Sequence, residues 1–350
     1  MTNPVLVEVL RGGHVESFHR GAWAVVDADG ALLSHGGDID RPIFPRSAVK
    51  VLQALPLVAS GAADHFGLDD AALALACASH GGEPEHVAVA GRVLAQLGLD
   101  EHALECGAHW PGFEPAKLAL ARTGDEPHAL HNNCSGKHAG FACLGCWLAK
   151  GQGQEARGFL SGYVQPEHPV MQAVSHALET ATGFALRDAP MGVDGCSIPT
   201  FGIPLRHLAL GFARVATGQG LGAEHARAAL RLRQAVARQP FMVAGTGRFD
   251  TQVMQHFGER VFCKVGAEGV YCAAFPEHGL GVALKVDDGN NARAAEVAMA
   301  ALIAAWVQKD DDDAAVLTPL SHPRLSNWRG VGVGALQPSA HFLAAASKSK

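Results

Sequence analysis

Residues 260–286 read RVFCKVGAEGVYCAAFPEHGLGVALKV. Three runs in this stretch, Arg260–Lys264, Gly269–Phe275 and Gly281–Val286, are short, rich in β-branched and aromatic residues, and separated by glycine, the pattern of successive strands. The opposite end of the chain reads alike. Residues 5–10 and 22–35 alternate or run apolar around Gly12-Gly13 and Asp27-Ala28-Asp29-Gly30, which are hairpin-turn sequences. Between the two ends the periodicity turns helical, near 47–60, 84–98, 137–149, 168–182 and 222–238, with glycine-rich loops between the helices. Pro56 is expected to kink or end the first of these helices. A long amphipathic helix is expected near 290–308 behind the capping-type pair Asn290-Asn291, and the acidic run Asp310–Asp313 reads as a solvated helix exit. Strands at both ends with helices between them make an α+β fold, an antiparallel sheet from both chain ends with helices packed on it and a mainly helical middle. The expected organisation is a sheet-containing domain from 1–45 and 240–335, a helical domain over 46–239, and a disordered Ser/Lys-ending tail over 336–350.

The chain has 350 residues, 28 of them basic, with a formal net charge of -6. Those basic residues are spread along it, which argues against nucleic acid as a partner. The start, Met1-Thr2-Asn3-Pro4, lacks the charged and apolar regions of a secretory signal, and the apolar stretch Val297–Val307 is too short for a bilayer. A soluble, cytoplasmic protein without a membrane partner is expected. Its eight cysteines then read mainly as buried thiols, as the apolar surroundings of Cys77, Cys263 and Cys272 suggest. Several signatures are missing. Gly195-Cys196-Ser197-Ile198-Pro199 fails the nucleophile-elbow pattern at its last position, and Gly136-Lys137 runs into His138 rather than Ser or Thr, so there is no phosphate-binding loop.

What remains is a set of polar clusters. Phe44-Pro45-Arg46-Ser47-Ala48-Val49-Lys50 sets Ser47 and Lys50 one helical turn apart, where a neutral lysine can activate a hydroxyl. The bland alternative is a helix start with a solvated lysine; the same spacing at Ser347 and Lys350 is read as inert. Cys77-Ala78-Ser79-His80-Gly81-Gly82-Glu83 turns sharply after an apolar run. It offers Ser79 and His80 to a pocket, with backbone amides near the glycines for an oxyanion, or else it is an ordinary capped turn. His131-Asn132-Asn133-Cys134-Ser135-Gly136-Lys137-His138 precedes an apolar helix. By ligand chemistry Cys134, His138 and Cys196 could gather around zinc, the alternative being a polar loop with buried thiols. Cys143 and Cys146 have metal-type spacing but read as helix core. Lys264-Val265-Gly266, after Gly245-Thr246-Gly247-Arg248, puts a lysine on a strand where a substrate can approach the backbone, unless it is merely an edge lysine.

Taken together, the stretches RSAVKVLQALPLV, CASHGGEPEH, HNNCSGKHAGF, GVDGCSIPTFGIPL, AGTGRFDT and CKVGAEG resemble the rhizobial-type, or class 3, L-asparaginases, also called asparaginase II-like proteins. The likeness runs from about Val5 to Val307. That family is similar in fold to serine β-lactamases and glutaminases. The resemblance implies hydrolysis of L-asparagine to L-aspartate and ammonia, with Ser47 and Lys50 as one catalytic pair and Ser79 and Lys264 as a second. It also implies zinc held by Cys134, Lys137 and Cys196, with Lys137 in place of His138. Arg46 or Arg248 is expected at the substrate carboxylate and Asp194 at its ammonium, with His80 and Asn133 also at the substrate, in a homodimer. Two rivals stay open: a glutaminase or other amidohydrolase on the same scaffold, and a non-catalytic protein that binds zinc or an amino acid.

Overall fold

One antiparallel sheet takes strands from both ends of the chain. In the computed structural model, which describes residues 2–347, its order is Arg324–Ser326, Gly332–Pro338, Val5–Arg11, His14–Asp27, Leu280–Val286, Val270–Phe275 and Phe262–Val265. Leu32–Gly36 pairs with His14–Asp27 off this path. His14–Asp27 is the seam. Its first half pairs with Val5–Arg11, and its second half pairs with Leu280–Val286, from Val286 opposite Gly21 to Leu280 opposite Asp27. Gly12 and Gly13, with φ of 55° and 83°, supply the two left-handed residues that a tight hairpin turn needs. The sheet-forming runs seen in the sequence are present, with the second strand starting earlier, at His14.

The helix Leu205–Thr217, which the periodicity did not single out, lies against Leu280–Val286, Val270–Phe275 and His14–Asp27. Val270–Phe275 and Phe262–Val265 are buried at every residue, which explains their unbroken apolar runs. Behind that layer, Lys50–Ala59 is surrounded by Ser135–Gly151, Pro169–Thr182 and Ala223–Arg238. Residues 50–57 of it are all buried. That enclosure carries the helix through Pro56 to Ala59, so the proline does not end it, because packing on all sides outweighs one missing hydrogen bond.

The expected helix near 290–308 starts as foreseen, with the Asn290 side chain accepting from the Arg293 N–H at 2.9 Å. It opens with a π-helical turn, Asn291–Ala295, before the α-helix Glu296–Trp306. It is not amphipathic, since Val297–Ile303 is wholly buried among neighbouring helices and strands. The run at Asp310–Asp313 is a helix entry rather than an exit. Asp310 caps Asp311–Ser321 through the Asp313 N–H at 2.9 Å, and Asp313 is buried against Arg260 and His256. The expected disordered tail is another correction. Residues 336–338 end the strand Gly332–Pro338, and Ala340–Ala346 is a helix whose Phe342 meets Trp23 edge-on at 4.9 Å. A buried aromatic pair orders the segment in spite of its small, weakly patterned residues. Ser347 lies at the end of the described residues and Lys350 outside them. No helix among the described residues is long and apolar enough to cross a membrane.

Candidate active site

The segment between Ile43 and Lys50 leads from the short strand Pro42–Ile43, paired with Ile203–Pro204 apart from the main sheet, into the helical layer. It forms a 3-10 turn, Arg46–Val49, that runs directly into the helix Lys50–Ala59. Arg46 enters this turn at φ 53°, a left-handed conformation that costs a non-glycine residue about 1–3 kcal/mol. Its guanidinium is held by Asp194, with Nη2 at 2.6 Å and Nε at 2.7 Å from Oδ1. Gly266 sits where a Cβ would fall 2.7 Å from the Pro45 carbonyl oxygen. The glycine after Lys264 is therefore what lets the strand end close on the turn that carries Ser47.

A cavity of about 360 Å³ opens here. Ser47, Ser79, Arg46, Asp194, Arg248 and Gly266 are among its lining residues, as are His80, Asn133, Cys134 and Cys196. Residues far apart in sequence are thus brought together. The two lysines are not on the cavity surface but are fully buried behind it.

The pairing differs from the one read in the sequence. Lys50 Nζ donates to Ser79 Oγ at 3.0 Å, to the Ala78 carbonyl and to Cys134 Sγ at 3.1 Å; no hydrogen bond joins it to Ser47. Helical spacing puts Lys50 on the face of Ser47, but the Ala78–Ser79 turn comes close enough to capture the amine. Lys264 does not bond Ser79. Its Nζ donates to the Val265 carbonyl at 2.7 Å and lies 4.0 Å from Asp250 Oδ2. Burial lowers its pKa to about 7, with Lys50 and Arg248 adding to the effect and Asp250 opposing it. The Ser79 N–H is consumed by the Val243 carbonyl at 2.8 Å, and the Gly82 N–H by His80 Nδ1 at 3.2 Å. The backbone N–H groups of Ser47 and Ala267, two lining residues, have no hydrogen-bond partner among the described residues.

His80 lines the cavity with both ring nitrogens engaged. Nδ1 accepts from Gly82, so Nε2 carries the proton and donates to Ser135 Oγ at 3.0 Å. Burial, His86 and nearby cations hold its pKa well below the ordinary value, which keeps the ring neutral. Arg248 lies at the exposed mouth, its guanidinium without a hydrogen bond or ion pair among the described residues. The hydrogen bond to Asp194 raises the Arg46 pKa, and that contact with Lys137 outweighs burial to lower that of Asp194.

Beside the serines lie two thiols and an amine. Lys137 Nζ is 2.9 Å from Cys196 Sγ, and Lys50 Nζ is 3.1 Å from Cys134 Sγ. Interaction with the neighbouring Cys196 holds the Cys134 thiol well below its usual range, with Lys50 and Lys137 assisting against burial. The same interaction, with burial, pushes Cys196 up. Burial works against the Lys137 cation, but the two sulfurs raise its pKa overall. Among the described residues no group of three His, Cys, Asp or Glu side chains gathers as a metal site. The amine beside the two sulfurs is that of Lys137. His138 turns its Nδ1 to the Tyr163 hydroxyl at 2.6 Å, and its buried Nε2 has no hydrogen-bond partner among the described residues. Two converging thiols are donors that suit zinc, and the Lys137 amine beside them could join only after losing its proton. Cys143 and Cys146 are buried with raised pKa values, chiefly through burial, and lie outside this cluster.

Several residues of the site were not legible in the sequence. His109 lines the cavity and accepts the Asn133 N–H on Nε2 at 2.8 Å. Asn132 accepts the Cys134 N–H at 2.8 Å, and Asn291 ties the Gly266 carbonyl to the Gly269 N–H. Asn132 and Asn291 had local signals, as an asparagine three residues before the helix Ser135–Gly151 and as a member of the capping-type pair Asn290-Asn291, but neither signal pointed to the cavity.

The model of the family described as L-asparaginase II matches residues 7–338. A crystal structure of a β-lactamase from Mycobacterium bovis is similar at a TM-score of 0.38 and 14% identity, over 81% of this chain and 94% of that one. No curated protein matches the chain.

Proposed function

This chain belongs to the L-asparaginase II family and is a hydrolase acting on amides, and from that premise we propose that it cleaves the side-chain amide of L-asparagine through a serine activated by buried lysine. The observation that carries the reading is the contact of Lys50 Nζ with Ser79 Oγ at 3.0 Å behind a cavity that Ser47 also lines. Ser47 Oγ attacks the amide carbon, and its proton passes to Lys50, which must be the neutral amine at this step and turn from Ser79 toward Ser47, one helical turn away. The unused N–H groups of Ser47 and Ala267 are the donors available to the oxyanion. Ser79, bonded to Lys50, hands a proton to the departing nitrogen, and ammonia leaves. Water then attacks the acyl ester, with its proton taken up through the same relay and returned to Ser47. Arg46 and Asp194 offer a cation and an anion side by side, which complements the carboxylate and ammonium of an amino acid, and Arg248 at the mouth is a second carboxylate partner.

Cys134, Lys137 and Cys196 would hold zinc. The ion would supply a fixed positive charge beside the pocket that stiffens the loop carrying Asp194.

The contact of Lys50 with Ser79 also favours a second reading, in which Ser79 is the nucleophile. Ammonia release from L-asparagine and L-glutamine, measured for the native protein, Ser47→Ala and Ser79→Ala, tests these points together. The expected result is release from asparagine well above glutamine, a loss of roughly a millionfold in kcat for Ser47→Ala, and a smaller loss of about 10²–10⁴ for Ser79→Ala. Near-native turnover in Ser47→Ala moves the nucleophile to Ser79. Equal rates on the two amides make the enzyme a broader amidohydrolase.

A further inference from the structure

Behind the Val265–Ala267 wall of the cavity lies a buried group that the scheme above leaves idle. Asp250 belongs to the helix Phe249–Phe257, which packs on the strand Phe262–Val265, and its side chain is 1% exposed. The Tyr271 hydroxyl donates to Oδ1, the Val265 N–H donates to Oδ2 at 3.3 Å, and the Cys263 thiol approaches Oδ1 at 3.8 Å. Lys264 Nζ stands 4.0 Å from Oδ2 and is itself fully buried. Buried ion pairs are poor sources of stability, because desolvation offsets the attraction, and apolar residues of similar volume do as well. The arrangement is also not optimised as a pair. At 4.0 Å the amine is attracted by the carboxylate without being bonded to it, and the Val265 carbonyl engages one of its protons, so the others remain for another partner.

We propose that Asp250 is a positioning residue for the reaction, its carboxylate fixed by Tyr271 and the Val265 amide so that it anchors Lys264 behind the two serines and sets the charge that this lysine carries. The inference rests on the reading, implied by the resemblance to the L-asparaginases, in which Lys264 joins Ser79 as the second catalytic pair and shares in proton transfer.

The groups that face Lys264 are Asp250, Lys50, Arg248 and Cys134, together with the thiols of Cys77 and Cys272. Asp250 in turn faces Tyr271, Cys263 and Glu296. Burial and two neighbouring cations take Lys264 down to about 7, and Asp250 is the largest influence acting the other way. An amine poised there is partly charged at neutral pH and can both give and take a proton. Without the carboxylate it would be almost wholly neutral.

The test uses two variants that act in opposite directions. Asp250→Asn keeps the shape and removes the charge, so Lys264 should titrate lower, by about one to three pH units. Tyr271→Phe keeps the packing against Phe249 and removes only the hydroxyl that spreads the carboxylate charge, so Lys264 should titrate higher. The titration is read by NMR on protein labelled at the lysine Cε carbons, with Lys264 assigned from Lys264→Arg. In parallel, the pH profile of kcat/KM for asparagine is recorded, and Asp250→Glu is included as the variant expected to restore the native position. Opposite displacements, with the profile following, are the expected result. If the lysine titration moves and the profile does not, Asp250 holds Lys264 as inferred but the catalytic role given to Lys264 fails. An unmoved titration overturns the inference, whatever the activity. Should Asp250→Asn fail to fold, Tyr271→Phe alone decides by the same criterion.

Discussion

Ser47, Ser79 and Lys50 divide the work of one nucleophilic unit between two distant turns. Ser47 holds the unused backbone N–H, whereas Ser79 holds the lysine contact at 3.0 Å. Neither serine has both. The strained φ of 53° at Arg46 is held in place by the Asp194 ion pair, so the residue before Ser47 is locked by a residue two positions from Cys196. That link makes the thiol cluster and the serine turn one object. Native protein is expected to carry close to one equivalent of zinc by elemental analysis. Cys196→Ala should lose it and lower the melting temperature, because it removes a ligand and leaves the Lys137 amine buried beside a single sulfur. Metal content unchanged in Cys196→Ala, or absent from native protein loaded with zinc, would discard this ligand set.

At the scale of elements, the informative cases are those where packing overrode a local signal. Asp310–Asp313 looks like solvated charge, yet the chain folds it into a helix start, with Asp310 as the cap and Asp313 turned inward. The Asp313 side chain is 1% exposed and bonds Arg260 at 2.7 Å and His256 at 2.8 Å. The Arg260 hydrogen bond, helped by the Lys309 N–H and His256, holds its carboxyl well below the usual carboxylate range. A depressed folded pKa gives a contribution that is complete above the unfolded value of about 4 and is lost as pH falls through the folded value. Asp313→Asn should therefore cost about 3–5 kcal/mol at neutral pH. Urea unfolding from pH 7 down to pH 2 should find that difference shrinking only below about pH 4. A gap that stays constant down to pH 2 would mean that the cost is steric rather than ionic.

For the whole molecule, the sheet is a closure between chain ends. Val5–Arg11 pairs with Gly332–Pro338 across nearly the full length of the sequence, and the last helix, Ala340–Ala346, covers the start of the sheet. Ser34 Oγ reaches the Ala345 carbonyl at 2.9 Å and Trp306 Nε1 the Ala346 carbonyl at 2.8 Å, so the terminal helix is tied to both ends of the domain. Phe342 is fully buried against Trp23. Phe342→Ala should cost about 3–5 kcal/mol in chemical denaturation, with little effect on KM for asparagine, since the residue is not among those lining the cavity. A loss below about 1 kcal/mol would show that the helix adds little to the closure.

Most of the elements and the reactive side chains of the site were legible in the sequence; the helix Leu205–Thr217, the terminal strand and helix from Gly332 on, and His109 were not. Apolar periodicity and turn glycines marked the strands at both ends and the helices between, because those signals come from neighbours within a few residues. The motifs carried the two serines, the two lysines and the two cysteines that the fold then gathered. Which of them touch depended on how the layers pack. Lys50 went to Ser79 rather than to its helical neighbour Ser47, and Lys264 went to Asp250 and the Val265 carbonyl rather than to Ser79. Lys137 rather than His138 met Cys196, because Tyr163 occupies the histidine. The physical reason is the same each time. A hydrogen bond depends on tenths of an ångström between segments that are strangers in sequence, and that distance is set by how the layers pack, as where Gly266 closes on Pro45.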